Sequence, residues 1–309
     1  MNAGVVQLGY VSISSTDVPA WLDLGELVGC QVVDVAPGVS GLRIDADRMA
    51  RIYLHDAEGP DDAAVSLGWE APDSQTFEAI LARLDKHGVP AAIDDSLARL
   101  RSVRRLATFR DPDGLSCELY WGARTALRER FRSPHGVEFR AGVEGFGHAT
   151  VSVADIDQTV PFYQDVLGLG LTEVADVGDL SVFFLHANDR HHSMAITELP
   201  SKKAGVAHLM LEVVSLDHMG SIRDRLMAND MRIERDLGRH PTDGVISMYI
   251  ATADVFELEI GWGSIALGDD WATTRYERDS WSWGHRSPHS PGGGSELGEV
   301  HTSSTEKST

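Results

Sequence analysis

The 309-residue chain carries 47 acidic against 27 basic side chains, a net charge of -20, and 42% of its residues are hydrophobic. Such a composition builds a globular core but offers no basic stripe, which excludes nucleic acid and anionic membrane as partners. No apolar run approaches the length of a membrane span, and the length suits two domains or one duplicated unit.

The two cysteines, Cys30 and Cys117, form neither a metal spacing nor a disulfide framework, so a reducing cytoplasm is expected. The opening MNAGVVQLGYVSI lacks a charged stretch followed by an apolar one, and no secretory leader is expected.

In the first half a strand is expected from Val5 to Ser14. Asp17 then caps a short helix stopped by Gly29. Strands follow at Gln31 to Val35, Gly41 to Ile44, Ala50 to His55 and Ala63 to Glu70. Asp73 caps an amphipathic helix, SQTFEAILARLDKHG, ended by Gly88 and Pro90. A polar helix at Asp95 to Arg101 leads to a strand at Arg104 to Arg110. The turn Asp111-Pro-Asp-Gly114 precedes a last strand, Leu115 to Trp121. Arg124 to Arg140 reads as a linker.

The second half repeats this order. Gly145 to Leu171 reads GFGHATVSVADIDQTVPFYQDVLGLGL: an alternating strand from His148, then a helix capped by Asp155 and closed by Gly168 and Gly170. Strands are expected at Leu180 to His186, Ser193 to Thr197 and Ala207 to Val213. A helix from Ser215 to Asn229 and strands at Ser247 to Ala251 and Val255 to Trp262 complete the set. Tyr10 lies 56 residues before Ser66 and 108 before Glu118; His148 lies 60 before His208 and 111 before Glu259. The endings Glu118-Leu-Tyr-Trp-Gly122 and Glu259-Ile-Gly-Trp-Gly263 fix that register, as a duplication would. Short mixed strands with two helices per half give an α+β arrangement. After Gly284 the chain has almost nothing to bury, so a disordered tail is expected.

The three matched positions separate the halves. Tyr10, Ser66 and Glu118 would not hold a divalent iron, whereas His148, His208 and Glu259 supply the two imidazoles and one carboxylate that such a site with open positions needs. The metal is therefore expected in the second half alone, on strands, which hold a ligand more firmly than loops.

With these residues in view, the chain resembles the two-domain type I extradiol ring-cleavage dioxygenases of the vicinal oxygen chelate superfamily, the biphenyl-2,3-diol 1,2-dioxygenase group most of all. The likeness rests on GHATVSV at His148, Asn188-Asp-Arg-His-His-Ser-Met-Ala195, HLMLEV at His208, Gly238-Arg-His-Pro-Thr-Asp243, Ser247-Met-Tyr249 and ELEIGWG at Glu259. It implies two tandem domains of paired βαβββ modules, each an open mixed β-barrel: residues 1–135 without chemistry, 136–286 catalytic, and 287–309 a disordered tail. It also implies Fe(II), or Mn(II), held by His148, His208 and Glu259, with O2 as co-substrate, a catechol as substrate, and assembly into a homo-oligomer.

The same resemblance gives His192 the acid/base role, and His240 and Tyr249 hydrogen bonds to substrate oxygens, with Asp243 supporting them. Thr150, Phe184 and Ala195 would line the ring pocket beside Thr242. Here the chain departs from the group, where asparagine is common in place of Thr242. The turn Thr252-Ala-Asp-Val also lacks Pro or Gly. On a strand, His191 would face away from His192. His55, His87, His135, His186 and His218 are expected without a metal, and His285, His289 and His301 are placed at or in the tail without a function. Trp69, Trp121 and Trp262 should pack the barrels, and Trp281 and Trp283 should anchor a C-terminal helix. The implied reaction is meta cleavage of a substituted catechol to a 2-hydroxymuconic semialdehyde-type product. A glyoxalase-type isomerase, a thiol transferase and a drug-binding protein share the scaffold and stay open as rivals.

Overall fold

The computed structural model describes residues 4–59, 64–125, 130–177, 180–199, 204–268, 270–278 and 283–289. The first module runs β1 (Gln7–Ser15), α1 (Val18–Val28), β2 (Gln31–Ala36), β3 (Val39–Arg43) and β4 (Ile52–Asp56). Its successor runs β5 (Ala64–Ala71), α2 (Ser74–Lys86), β6 (Ala92–Ile93), α3 (Asp95–Leu100), β7 (Arg105–Arg110) and β8 (Ser116–Trp121). Together they make one sheet in the order β2-β3-β4-β1-β5-β8-β7-β6.

The second sheet repeats the plan. β9 (His148–Val153) is followed by α4 (Ile156–Phe162), a π-helical turn (Tyr163–Leu167), β10 (Gly170–Val177), β11 (Leu180–His186) and β12 (Met194–Glu198). Then come β13 (Gly205–Val213), α5 (Leu216–Ala228), β14 (Ile233–Arg239), β15 (Ile246–Ala251), β16 (Glu257–Trp262) and β17 (Thr274–Arg278). The order β14-β15-β16-β13-β9-β12-β11-β10 mirrors the first sheet, with β17 added outside β10. The fold is α+β, four βαβββ modules in two sheets.

Local chemistry sets the element ends. Asp17, Asp73, Asp94, Asp155 and Ser215 each accept a hydrogen bond from the first turn of their helices. Gly29 ends α1 at φ 99, where a side chain would be strained. The turn without Pro or Gly is held from outside: Thr252 Oγ1 donates to the Phe256 carbonyl at 2.5 Å, and Trp21 Nε1 of the first half donates to Asp254 at 2.7 Å.

One apolar cluster runs through both halves, from Trp21, Trp69 and Phe77 to Phe146, Tyr163 and Leu258. α1 packs on α5, and α2 on the π-helical turn. Tyr163 Oη donates to Asp111 at 2.9 Å, and the Val5 amide to the Leu167 carbonyl at 2.9 Å. The second sheet thus rests on the first through buried apolar contact and polar bonds.

Several expectations need correction. Gly168, at φ 80, closes the helical segment by itself; Gly170 opens β10 instead. The strands β10, β14 and β17 were not expected. No C-terminal helix is present among the described residues: Trp283 forms an isolated bridge with Arg239 and is half exposed, while Trp281 lies outside the described residues. The expected disordered tail falls outside them too, apart from residues 287–289. Trp69 is fully buried, and Trp121 and Trp262 pack partly buried against the core.

Candidate metal centre

The register of the central strands brings the three candidate ligands together. β9 pairs antiparallel with β13, setting Thr150 opposite His208 and Met210 opposite His148; β13 pairs parallel with β16, setting Met210 beside Glu259. His148 Nε2 lies 3.2 Å from His208 Nε2 and 3.3 Å from Glu259 Oε2, and His208 Nε2 lies 3.2 Å from the same oxygen. Ligands about 2.1 Å from a common centre and at right angles stand about 3 Å apart. The observed triangle has that size.

The electrostatics suit a cation. Glu259 is 1% exposed, and its Oε2 has no hydrogen-bond partner among the described residues. Burial pushes its carboxyl up, but the imidazoles of His148, His208 and His240 crowded around it outweigh this and hold it well below the usual range. Burial pulls His208 down to about 4, against the pull of the Glu259 charge. A neutral imidazole beside a buried carboxylate is a ready ligand set.

Around this triangle stand the other expected residues. His192 precedes β12, and its ring lies on that of His148 with centroids 4.1 Å apart. Burial, then the neighbouring His148 and His191, hold His192 well below its ordinary pKa, so it is neutral at pH 7. His240 Nε2 meets Tyr249 Oη at 2.8 Å and Glu259 Oε1 at 3.2 Å. Burial and the Glu259 charge push the Tyr249 phenol well up, so it stays protonated. The Arg235 guanidinium lies 3.6 Å over the Tyr249 ring. Asp243 is buried and accepts from the Val245 amide at 3.1 Å, which fixes the loop carrying His240 and the half-buried Thr242. Thr150 Oγ1 lies 2.9 Å from His208 Nε2. Phe184, Ala195 and Ala175 form a small apolar cluster, with Phe184 edge-on to His192 at 4.9 Å.

Two residues contradict their expectations. His191 does not face away from His192. The pair lies in a bend ahead of β12, where strand alternation does not apply, and the two Nδ1 atoms are 3.0 Å apart. His285 is no idle tail residue. It is 1% exposed, its ring lies 4.5 Å from that of His240, and its Nε2 meets Ser247 Oγ at 3.0 Å. The only local signal is Gly284 before it, at φ 79, whose Cβ would strike Leu237 and Gly238. Two three-residue donor groups occur among the described residues, His148 with His208 and Glu259, and His191 with His192 and Asp243; His55, His87, His135, His186 and His218 belong to neither.

Four βαβββ modules, with two imidazoles and a carboxylate on adjacent central strands, define a vicinal oxygen chelate protein. Comparison with known proteins agrees. Residues 145–260 match the family model described as the Glyoxalase/Bleomycin resistance protein/Dioxygenase superfamily. A biphenyl-2,3-diol 1,2-dioxygenase of Metapseudomonas furukawaii is 36% identical over 91% of this chain and 93% of its own. An iron-dependent extradiol dioxygenase of Rhodococcus jostii is 32% identical over 90% of this chain and 96% of its own. Among solved structures, that of a halotolerant catechol dioxygenase superposes with a TM-score of 0.86 at 26% identity, covering 94% of this chain and 97% of the other. The chain belongs to the extradiol dioxygenases of this superfamily.

Proposed function

We propose that the protein is an Fe(II)-dependent extradiol dioxygenase that opens substituted catechols, such as 2,3-dihydroxybiphenyl or alkylcatechols, with O2. The products are of the 2-hydroxymuconic semialdehyde type. The observation that carries this reading is the largely buried triangle of His148, His208 and Glu259, with one carboxylate oxygen that accepts no hydrogen bond among the described residues. These three residues hold the ion, and Mn(II) would suit the same donors. Bound there, the metal acidifies the catechol hydroxyls and couples the electron-rich diol to O2, a redox step side chains cannot supply.

The chain's own residues do the rest. His192, neutral and with its ring tilted against that of His148, accepts a proton from a catechol hydroxyl and later returns it to the departing oxygen. His240 and the protonated Tyr249 hydrogen-bond the substrate oxygens. Asp243 keeps their loop in place. Phe184 and Ala195 give the ring an apolar wall, with Thr150 and Thr242 at its polar margin. Residues 1–135 form the scaffold and 136–286 the catalytic domain of a cytoplasmic homo-oligomer.

Anaerobic loading with Fe(II), followed by oxygen uptake against a panel of catechols, tests the reading. Uptake with an aryl- or alkylcatechol is expected. No uptake with any catechol would overturn it in favour of the isomerase.

A further inference from the structure

β10 carries a bulge between Leu171 and Glu173. Neighbours in a regular strand face opposite sides, yet Thr172 and Glu173 are both buried, at 0% and 4% exposure. Both turn to His191. Thr172 Oγ1 donates to the His191 carbonyl at 2.6 Å, and Glu173 Oε1 lies 3.3 Å from His191 Nε2. His191 is itself fully buried, with the rings of Phe184 and Trp271 edge-on at 5.6 and 5.7 Å. Its Nδ1 lies 3.0 Å from His192 Nδ1. Glu173, His191 and His192 therefore form one buried line that ends against His148.

The chemistry of that line is restrictive. A bare imidazole nitrogen facing a carboxylate oxygen would set two lone pairs against each other, so the His191 proton belongs on Nε2. Among the described residues that nitrogen has no hydrogen-bond partner, and the Glu173 carboxylate oxygen at 3.3 Å is the anion it meets. In the neutral ring Nδ1 is then an acceptor. Two facing Nδ1 atoms cannot both accept, so His192 must carry its proton on Nδ1 and donate it to His191. That leaves Nε2 as the only basic atom of His192.

We propose that Glu173 and His191 are positioning residues that hold His192 in its Nδ1–H tautomer, so that Nε2 receives the substrate proton. The inference rests on the acid/base reading of His192. In the step itself, the proton passes from a catechol hydroxyl to Nε2 and the substrate oxygen keeps the electron pair. The resulting imidazolium is held by the Nδ1–H bond to His191, with the Glu173 carboxylate behind it.

The test uses the full-length chain, with Fe(II) for kinetics and with diamagnetic Zn(II) for 15N NMR of the histidine side chains. The wild-type protein should show His192 protonated at Nδ1 and His191 at Nε2. Glu173→Met should abolish this single tautomer and lower kcat about 10- to 100-fold, the range seen when supporting partners of metal-site residues are lost. KM and iron content should hold. Glu173→Gln keeps an acceptor oxygen for His191 and should keep both tautomer and rate. His191→Asn keeps an acceptor for His192 and should retain most of the rate.

A wild-type His192 protonated at Nε2, or a doubly protonated His191, overturns the proposal. So does a Glu173→Met protein with unchanged tautomer and kcat. Full turnover in His192→Phe would bring down the acid/base reading and the proposal with it. A slow His192→Phe protein combined with the wrong tautomer brings down the proposal alone.

Discussion

The two halves face the same electrostatic problem and meet it differently. β1 and β5 set Ser12 opposite Ser66 and Tyr10 opposite Gly68, and Gly68 lies beside Glu118 on β8. This is the register of Thr150, His208, His148, Met210 and Glu259. Each half therefore buries one carboxylate at the same place. In the first, the Arg101 guanidinium holds Glu118 with bonds of 2.9 and 3.0 Å, and Tyr10 Oη donates to it at 2.5 Å. Arg101 also reaches Ser12 at 2.7 Å and covers the Tyr53 ring at 4.4 Å. It arrives on the β6–β7 connection. The equivalent β14–β15 connection delivers His240, which meets Glu259 at 3.2 Å. One half carries its cation as a side chain; the other keeps three donor atoms converged, as binding a cation from solution requires. A buried carboxylate must be compensated in either case.

The largest break in that comparison comes from removing each carboxylate in turn. Glu259→Ala should abolish iron retention and turnover while the chain still folds. Glu118→Gln should keep iron but cost about 3–5 kcal/mol of stability, because it leaves Arg101 buried without its counter-ion. Metal analysis and denaturant titration of both proteins check this. A Glu118→Gln protein that loses iron would mean the first half takes part in the site.

His192→Phe asks whether the chemistry sits beside the triangle as well as on it. Iron content should be unchanged and turnover about 10²- to 10⁴-fold lower. On the proposed role of the neutral ring as base, wild-type rate should fall as pH drops and the ring takes up a proton. Holding His208 down to about 4 has a stability consequence of definite sign. Between that value and the unfolded value of about 6.5, the unfolded chain binds the extra proton, so metal-free protein should lose stability as pH falls through this window. Iron release should follow the same direction, since protons compete for the ligand nitrogen.

Much of this was legible before any coordinates. The duplication shows because both halves end on a similar Glu-led strand, and the 108- and 111-residue offsets match the observed register. What stayed hidden has physical causes. Gly170-Leu-Thr-Glu173 loses its period-2 pattern at a bulge, so β10 reads as a helix end. β14 is IERDLGR and β17 is TRYER, charged strands at or near the sheet edge with no apolar face to announce them. The alternation that would turn His191 away from His192 holds only within a strand, and the pair lies ahead of β12. His285 meets His240 across 45 residues of chain, and Arg101 looks like one more polar residue after a short helix. Contacts made across the fold leave no local periodicity to read.

The finest test compares the two residues that share the first ligand position. Tyr10 and His148 occupy the same register, but Tyr10 is a donor to a carboxylate already held by arginine. Burial, then the Glu118 charge, push its phenol well above the usual value, so the proton stays on Tyr10 and the bond is charge-assisted. Tyr10→Phe should cost about 1.5–3 kcal/mol, the worth of a hydrogen bond to a charged group, and leave iron content and turnover alone. His148→Phe should instead lose iron and turnover, since on the proposed assignment it removes a metal ligand. Equal effects of the two substitutions on iron would mean that the halves do not divide structural and chemical roles as their matched positions indicate.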